Sequence, residues 1–297
     1  MTDDAGMQIT TTHGQSWARV RLPIGQMYHV AVDNQIPYYI YSNMQDDGTM
    51  RGPSNAPESQ PNNAAPSTGP GTGRGGPGGG RGGFGGFGSG GGRGGAGPPW
   101  DHALGGCESG FTIPDHGNPD IVWSSCYGNK LTRYDANQGT ARSVAPWMIS
   151  LDSPPGDAKY RCHWTAPLAV DPFDHNTVYY GCQVVFATND GGQSWKVISP
   201  DLSRQDPSRI MPSGGMVGDN LGQFYGEVVF AIAPSPVQKG LIWAGTNDGK
   251  VWYTRDGGGR WNDVTRNISG QSRIRRSYRA IRISSRRPRC RFALLRT

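Results

Sequence analysis

The sequence predicts an all-β fold: a β-propeller of four-stranded antiparallel blades, partial in extent, with about four blades plus one hairpin. Three observations predict it. An eight-residue pattern of hydroxyl, carboxylate, glycine and tryptophan occurs twice in the same register, at Thr188-Asn189-Asp190-Gly191-Gly192-Gln193-Ser194-Trp195 and Thr254-Arg255-Asp256-Gly257-Gly258-Gly259-Arg260-Trp261. A second pattern occurs four times, an apolar strand that runs into an Asp or Ser turn and then a strand rich in Val, Ile, Tyr and Trp. The periods, 56 residues from Asp115 to Asp171 and 66 from Trp195 to Trp261, hold four short strands and no helical periodicity.

The eight-residue pattern has a mechanical basis. A short carboxylate at the head of a tight turn accepts hydrogen bonds from backbone N–H groups a few residues on, and glycine supplies positive φ. The tryptophan then opens the next strand as an apolar plate whose indole N–H needs a partner. Strand-like runs flank each copy, Val184-Val185-Phe186-Ala187 before and Lys196-Val197-Ile198 after the first, so each is a turn between the third and fourth strands of a unit. A weaker copy at Thr10 to Trp17 keeps Gly14 and Trp17 but has Thr12 in place of the Asp.

In chain order, the second pattern runs from Tyr28–Asp33 into Tyr38–Tyr41, and from Gly110–Asp115 into Ile121–Trp123. It returns at Ala166–Asp171 leading to Val178–Tyr180, and at Val228–Ala233 leading to Leu241–Trp243. Units are expected at about 22–104, 105–150, 151–203 and 222–268, preceded by a closing hairpin at 1–21. Thr2 to Thr10 aligns with Thr246 to Thr254, between the second and third strands of a unit, so the chain is expected to start inside a blade and its N-terminus to be incomplete. Asp206 to Gln223, with Pro207, Pro212, Gly214 and Gly215, reads as a long loop between units.

Composition divides the chain further. The propeller body is expected over 1–268, interrupted by 69–97, where 19 of 29 residues are glycine. That insertion reads as a disordered Gly/Arg-rich surface loop, because ordering glycine is entropically costly and there are few side chains to offset it. Its three arginines are too sparse to favour the RNA-binding reading of Arg-Gly-Gly segments. Residues 271–297 hold ten of the 29 Lys and Arg and none of the 23 Asp and Glu. Without them the balance is 19 against 23, a net −4, so the formal +6 describes the tail alone. The segment 269–297 is expected to be an irregular Arg-rich tail, the composition that a shifted reading frame or a fragmentary gene model would produce. No aromatic spacing organises it for base readout, so nucleic acid is not a favoured partner. With such a tail the ring is not expected to close, leaving apolar faces exposed on the first blade and around Trp243, Trp252 and Trp261 of the fourth.

No apolar run is long enough for a membrane helix, and Met1-Thr2-Asp3-Asp4 has no signal-peptide character. The six histidines show no ligand spacing, so no metal and no cofactor are expected. Cys107 with Cys126 and Cys162 with Cys182 each flank a hairpin turn. Cross-strand disulfides are conceivable there, but buried free thiols are the preferred reading.

The eight-residue copies resemble the Asp-box, or BNR, repeat of sialidase-like and sortilin-like β-propellers. The residues of the resemblance are Thr188, Asp190, Gly192, Trp195, Thr254, Asp256, Gly258 and Trp261, with Gly14 and Trp17 in the weaker copy. Gln26 to Asn34, Gln45-Asp46-Asp47-Gly48, Trp164-Thr165-Ala166-Pro167, Ser199-Pro200-Asp201-Leu202-Ser203 and Ala244 to Gly249 look more specifically like bacterial proteins with a sortilin N-terminal-like propeller. Members of that group are often described as putative glycosyl hydrolases and are often exported. The resemblance implies a scaffold that binds a protein, peptide or glycan; the alternative is a glycoside hydrolase of sialidase- or xyloglucanase-like type. Hydrolysis needs two carboxyl groups roughly 5–10 Å apart across a cleft. Glu108 and Glu227 are the candidates, since both precede the first strand of a unit, while Asp46, Asp47 and Asp219 lie in loops.

Overall fold

A computed structural model describes residues 2–3, 6–20, 25–55, 100–127, 129–148, 156, 158–210, 226–268, 281–284 and 291–294. Strands β1 (Thr2–Asp3), β2 (Gly6–Ile9) and β3 (Ala18–Val20) form a three-stranded antiparallel sheet. The first blade contains β4 (Met27–Val32), β5 (Tyr39–Met44), β6 (Gly48–Pro53) and β7 (Asp101–His102). The second contains β8 (Thr112–Asp115), β9 (Asn118–Cys126), β10 (Lys130–Asp135) and β11 (Thr140–Ser143). In the third are β12 (Leu168–Val170), β13 (Val178–Gly181), β14 (Val185–Thr188) and β15 (Lys196–Val197). The fourth has β16 (Val229–Pro234), β17 (Ile242–Thr246), β18 (Val251–Thr254) and β19 (Asn262–Asp263). Each blade is a meander whose strands pair in sequence order, and the first strands succeed one another, β4 beside β8, β8 beside β12 and β12 beside β16. This is a four-bladed β-propeller.

The hairpin expected at the N-terminus carries one strand more, because Thr2–Asp3 pairs with Gly6–Met7, where the repeat alignment puts the end of a second strand. The loop after the third blade includes a single helical turn, Pro207–Ile210, before residues 211–225, which with Asp219 lie outside the described residues. The glycine insertion 69–97 also lies outside them, between β6 and β7. In the tail, β20 (Ile281–Ser284) and β21 (Arg291–Leu294) pair antiparallel, and β20 runs beside β16 and β17.

Apolar residues fill the spaces between blades. Tyr41, Leu104 and Val122 are buried between the first and second blades. Trp123, Leu131, Tyr180 and Phe186 belong to the larger core between the second and third, and Val185, Leu202, Val229 and Ile242 to that between the third and fourth. On the first blade Met27, Val30 and Val32 are exposed. The fourth blade departs from expectation: Trp252 and Trp261 do not face outward but pack against the third, donating their indole N–H to Leu202 O at 2.8 Å and Ile198 O at 2.7 Å. A large plate beside a neighbouring sheet buries more apolar area there than at a free face.

The cysteines also differ from the reading as free thiols. Cys107 is bonded to Cys126 and Cys162 to Cys182, with Cα atoms 5.5 and 4.0 Å apart. The cause is topological: each first cysteine lies in the loop leading into a blade's first strand, and each second ends or follows the adjacent second strand.

The turns between the first and second strands are closed by one side chain each. Asp33 accepts the N–H of Tyr39 at 2.8 Å and the hydroxyl of Tyr41 at 2.9 Å; Asp171 accepts the N–H of Phe173 at 2.8 Å and the hydroxyl of Tyr179 at 2.7 Å. In the third-to-fourth turns, Asp190 Oδ1 accepts the N–H groups of Gln193 and Ser194 at 2.9 and 3.0 Å, and Asp256 Oδ1 that of Arg260 at 3.0 Å. The Ser194 hydroxyl, with that residue's N–H and the Thr188 hydroxyl, holds the Asp190 carboxyl well below the usual range. Gly192 and Gly258 have φ of +81° and +110°. A Cβ on either would lie 2.6 Å from Val144 Cβ or Ile198 O of the preceding blade, so both conformation and space exclude a side chain.

Thr188 Oγ1 donates to Asp190 Oδ1 at 2.8 Å, accepts the Gly192 N–H at 3.1 Å, and is buried. Thr188→Val keeps the shape and removes both bonds, so it is expected to cost about 1–2 kcal/mol. A lower urea midpoint at unchanged slope checks this; an unchanged midpoint would show that the hydroxyl does not hold the turn.

Candidate functional site

Strand direction sorts the loops. In a four-stranded meander, the loop leading into the first strand and the turn between the second and third emerge at one end of the blade, and the other two turns at the opposite end. Glu108 and Glu227 lie in lead-in loops, whereas Thr188, Asp190, Gly192, Thr254, Asp256 and Gly258 lie in third-to-fourth turns. The candidate carboxyls and the turn-forming carboxylates thus occupy opposite ends, and Asp190 and Asp256 are committed to their own backbone. Trp195 and Trp261 reach back one blade, Trp195 donating to Val144 O at 2.7 Å. Gly14 and Trp17 belong to a similar turn in which Thr10 Oγ1 accepts the Gly14 N–H at 3.0 Å and Thr12 Oγ1 that of Ser16 at 2.9 Å. Trp17 is 47% exposed.

Around Glu108 three blades meet. Glu108 Oε2 accepts the N–H of Asp46 at 3.2 Å, from the turn between β5 and β6. Gln45 donates to Asp46 Oδ1 at 3.0 Å and accepts from the Tyr28 hydroxyl, which in turn accepts Trp164 Nε1–H at 2.9 Å. The Tyr127 ring stacks on Trp164 at 4.4 Å with 20° between planes. Burial pushes the Glu108 carboxyl up, and the Asp46 side chain adds to this against the pull of the Asp46 N–H. Burial and the Glu108 charge likewise raise the Tyr127 phenol. The result is a partly exposed aromatic surface with a carboxyl group beside it. Tyr28, Gln45, Tyr127 and Trp164 carry no site motif in sequence; the signal that could have found them is their place, each in a lead-in loop, at the start of a first strand, or in a second-to-third turn.

Glu227 has other surroundings. It is 1% exposed, with φ of +59°, and its Oε2 accepts the N–H of Asp206 at 3.4 Å. Burial first, then the nearby Asp248 carboxyl, push Glu227 up to about 7. Arg161, 7% exposed, donates through Nη2 to Asp201 Oδ2 at 2.9 Å and to Glu227 O at 3.3 Å. Among the described residues, no cluster of three or more His, Cys, Asp or Glu is placed to hold a metal ion, and no helix is long and apolar enough to cross a membrane.

No protein-family profile and no curated protein matches the chain. Among solved structures, an ancestral GH74 enzyme is similar over 89% of this chain and 29% of its own, with 15% identity and a TM-score of 0.43. The GH74 enzyme of Niastella koreensis is similar over 56% of this chain and 20% of its own, with 16% identity and a TM-score of 0.33. YCF48 from Cyanidioschyzon merolae is similar over 91% of this chain and 80% of its own, with 10% identity and a TM-score of 0.33. The chain thus spans less than a third of the two GH74 enzymes, and at such identities these likenesses transfer no residue role to it.

Proposed function

We propose that this chain is a non-catalytic, sortilin-like/BNR-type propeller that binds a protein, peptide or glycan at the end formed by its lead-in loops and second-to-third turns. The observation that carries this reading is the commitment of the candidate carboxyls. Glu227 is 1% exposed, and its Oε2 is engaged by the N–H of Asp206 at 3.4 Å. A carboxyl sealed from solvent cannot reach a sugar linkage, whereas glycosidases present two carboxyl groups roughly 5–10 Å apart across an open cleft. The ligand surface is the Tyr127–Trp164 stack with Tyr28, an amphipathic platform of the kind that supplies contact area at low entropic cost.

A second reading, a glycoside hydrolase of sialidase- or xyloglucanase-like type, draws on one observation: the aromatic stack lies beside Glu108, whose carboxyl is raised. Calorimetric titration with oligosaccharides and peptides, run beside an assay for newly released reducing ends, separates the two. The expected result is binding that weakens at least about tenfold in Tyr127→Ala with no release of reducing ends; loss of one aromatic contact accounts for that factor. Release of reducing ends that Glu108→Gln abolishes would overturn the binding reading and establish the hydrolase.

A further inference from the structure

Two third-to-fourth turns seat on the blade before them at one repeated position. Trp195 donates its indole N–H to Val144 O, and Trp261 to Ile198 O, both at 2.7 Å. Val144 and Ile198 each follow the fourth strand of their own blade, and each donates its N–H to a third-strand carbonyl, Leu131 O or Val185 O, at 2.9 Å. Val264 holds that position on the fourth blade. It follows β19, and its N–H bonds Val251 O at 2.9 Å. Beside it the Thr265 hydroxyl accepts the Val251 N–H at 2.9 Å, as the Ser199 hydroxyl accepts the Val185 N–H at 2.7 Å.

A third turn of the same build, between β2 and β3, has no such seat among the described residues. Thr10 Oγ1 accepts the Gly14 N–H at 3.0 Å, as Thr188 and Thr254 accept those of Gly192 and Gly258 at 3.1 and 3.0 Å. Gly14 has φ of +88°, and Trp17 follows it by three residues, the spacing of Trp195 and Trp261 from their glycines. Yet Trp17 is 47% exposed, and a Cβ on Gly14 would meet nothing within 4 Å, where one on Gly192 or Gly258 would strike the preceding blade. We infer that this turn is a plug for a second copy of the chain: Gly14 and Trp17 of one copy seat at Val264 on the fourth blade of the next, repeating between molecules the contact made twice within each.

The chain leaves both halves of the contact open. Ala31 packs toward the second blade, whereas Val30 and Val32, on the opposite face of β4, are exposed, so the four blades do not close on themselves. At the other end β20 runs beside β16 and β17, the first two strands of the fourth blade. Val264 instead follows the fourth strand, and β2 and β3 flank their turn as a third and a fourth strand do, so plug and seat lie at the same depth. Val264 O accepts the Asn267 N–H at 2.9 Å and keeps a second lone pair for an indole. Because plug and seat are different surfaces, the contact is heterologous: it runs head to tail, into a ring or an open chain of copies. A tryptophan passing from half-exposed to seated is the kind of anchor that dominates such a contact.

Sedimentation velocity over about a hundredfold range of concentration tests this with two one-sided variants. Trp17→Ala removes the plug at an exposed site and keeps the fold, while Val264→Arg fills the seat. Each alone is expected to associate at least about tenfold more weakly than the wild type. Their equimolar mixture should recover a one-to-one pair, since one variant brings the seat and the other the plug. A wild type that stays monomeric throughout overturns the inference; if its Trp17 is then shielded from a soluble fluorescence quencher, the turn seats within its own chain instead. Association of Trp17→Ala as strong as that of the wild type overturns it too, as does a mixture of the folded variants no stronger than its parts. Should Val264→Arg fail to fold, the comparison of wild type with Trp17→Ala decides alone.

Discussion

Trp123→Ala is expected to lower the unfolding free energy by about 3–5 kcal/mol, the largest effect of any single substitution in the second and third blades. Trp123 lies in the middle of β9, 2% exposed, within the core that joins those blades. Its ring meets Trp195 edge to face, centroids 6.4 Å apart and planes at 84°. Removing it leaves a void lined by side chains that hydrogen bonds and strand ladders hold in place. Trp195, for example, is tied to Val144 O at 2.7 Å and cannot move in to fill the space. The lost transfer energy and the cavity term then add. Trp17→Ala is the control: with Trp17 47% exposed, it should change stability by well under 1 kcal/mol. Urea unfolding of the two variants checks the contrast, and equal losses would mean that Trp17 has a buried role or Trp123 a relaxed one.

The second large effect concerns Cys162 and Cys182. The double change Cys162→Ser with Cys182→Ser is expected to cost about 3 kcal/mol, the loop-closure contribution for a bridge spanning 20 residues. The bond ties the lead-in loop of the third blade to the end of its second strand, beside the Arg161 that holds Asp201 and the carbonyl of Glu227. Its loss should therefore also loosen the junction with the fourth blade. Melting with and without reductant measures the cost. Alkylation of the denatured, unreduced chain measures the bonding itself: one modified thiol, Cys290, of the five cysteines is expected, and five would show that neither bridge forms.

Much of the architecture was legible in the residues. Strand-forming runs, four first-turn anchors and two Thr-x-Asp-x-Gly turns pointed to four four-stranded antiparallel blades, because these are local devices: a carboxylate and the N–H groups it accepts lie within a few positions of one another. The cysteine bonding was not legible, since spacing alone places two cysteines beside a turn without saying whether their Cα atoms approach. The facing of Trp252 and Trp261 also escaped, because a tryptophan on an alternating strand can serve either side until the neighbouring blade is placed.

The candidate site divides in the same way. From sequence alone, Glu108 and Glu227 share a position ahead of a first strand, and Asp190 and Asp256 are turn-formers. Tertiary structure alone decided that the two glutamates differ. Glu108 meets Asp46 from the first blade and lies beside an aromatic stack from the second and third blades, whereas Glu227 is buried and accepts the Asp206 N–H from the strap that leaves the blade before it. The physical reason is the range of the interactions. Turn chemistry acts within the chain's own next few residues, while burial and charge act through space, and Glu227 acquires its raised carboxyl from burial first and then from the nearby Asp248, against the pull of the Asp206 amide.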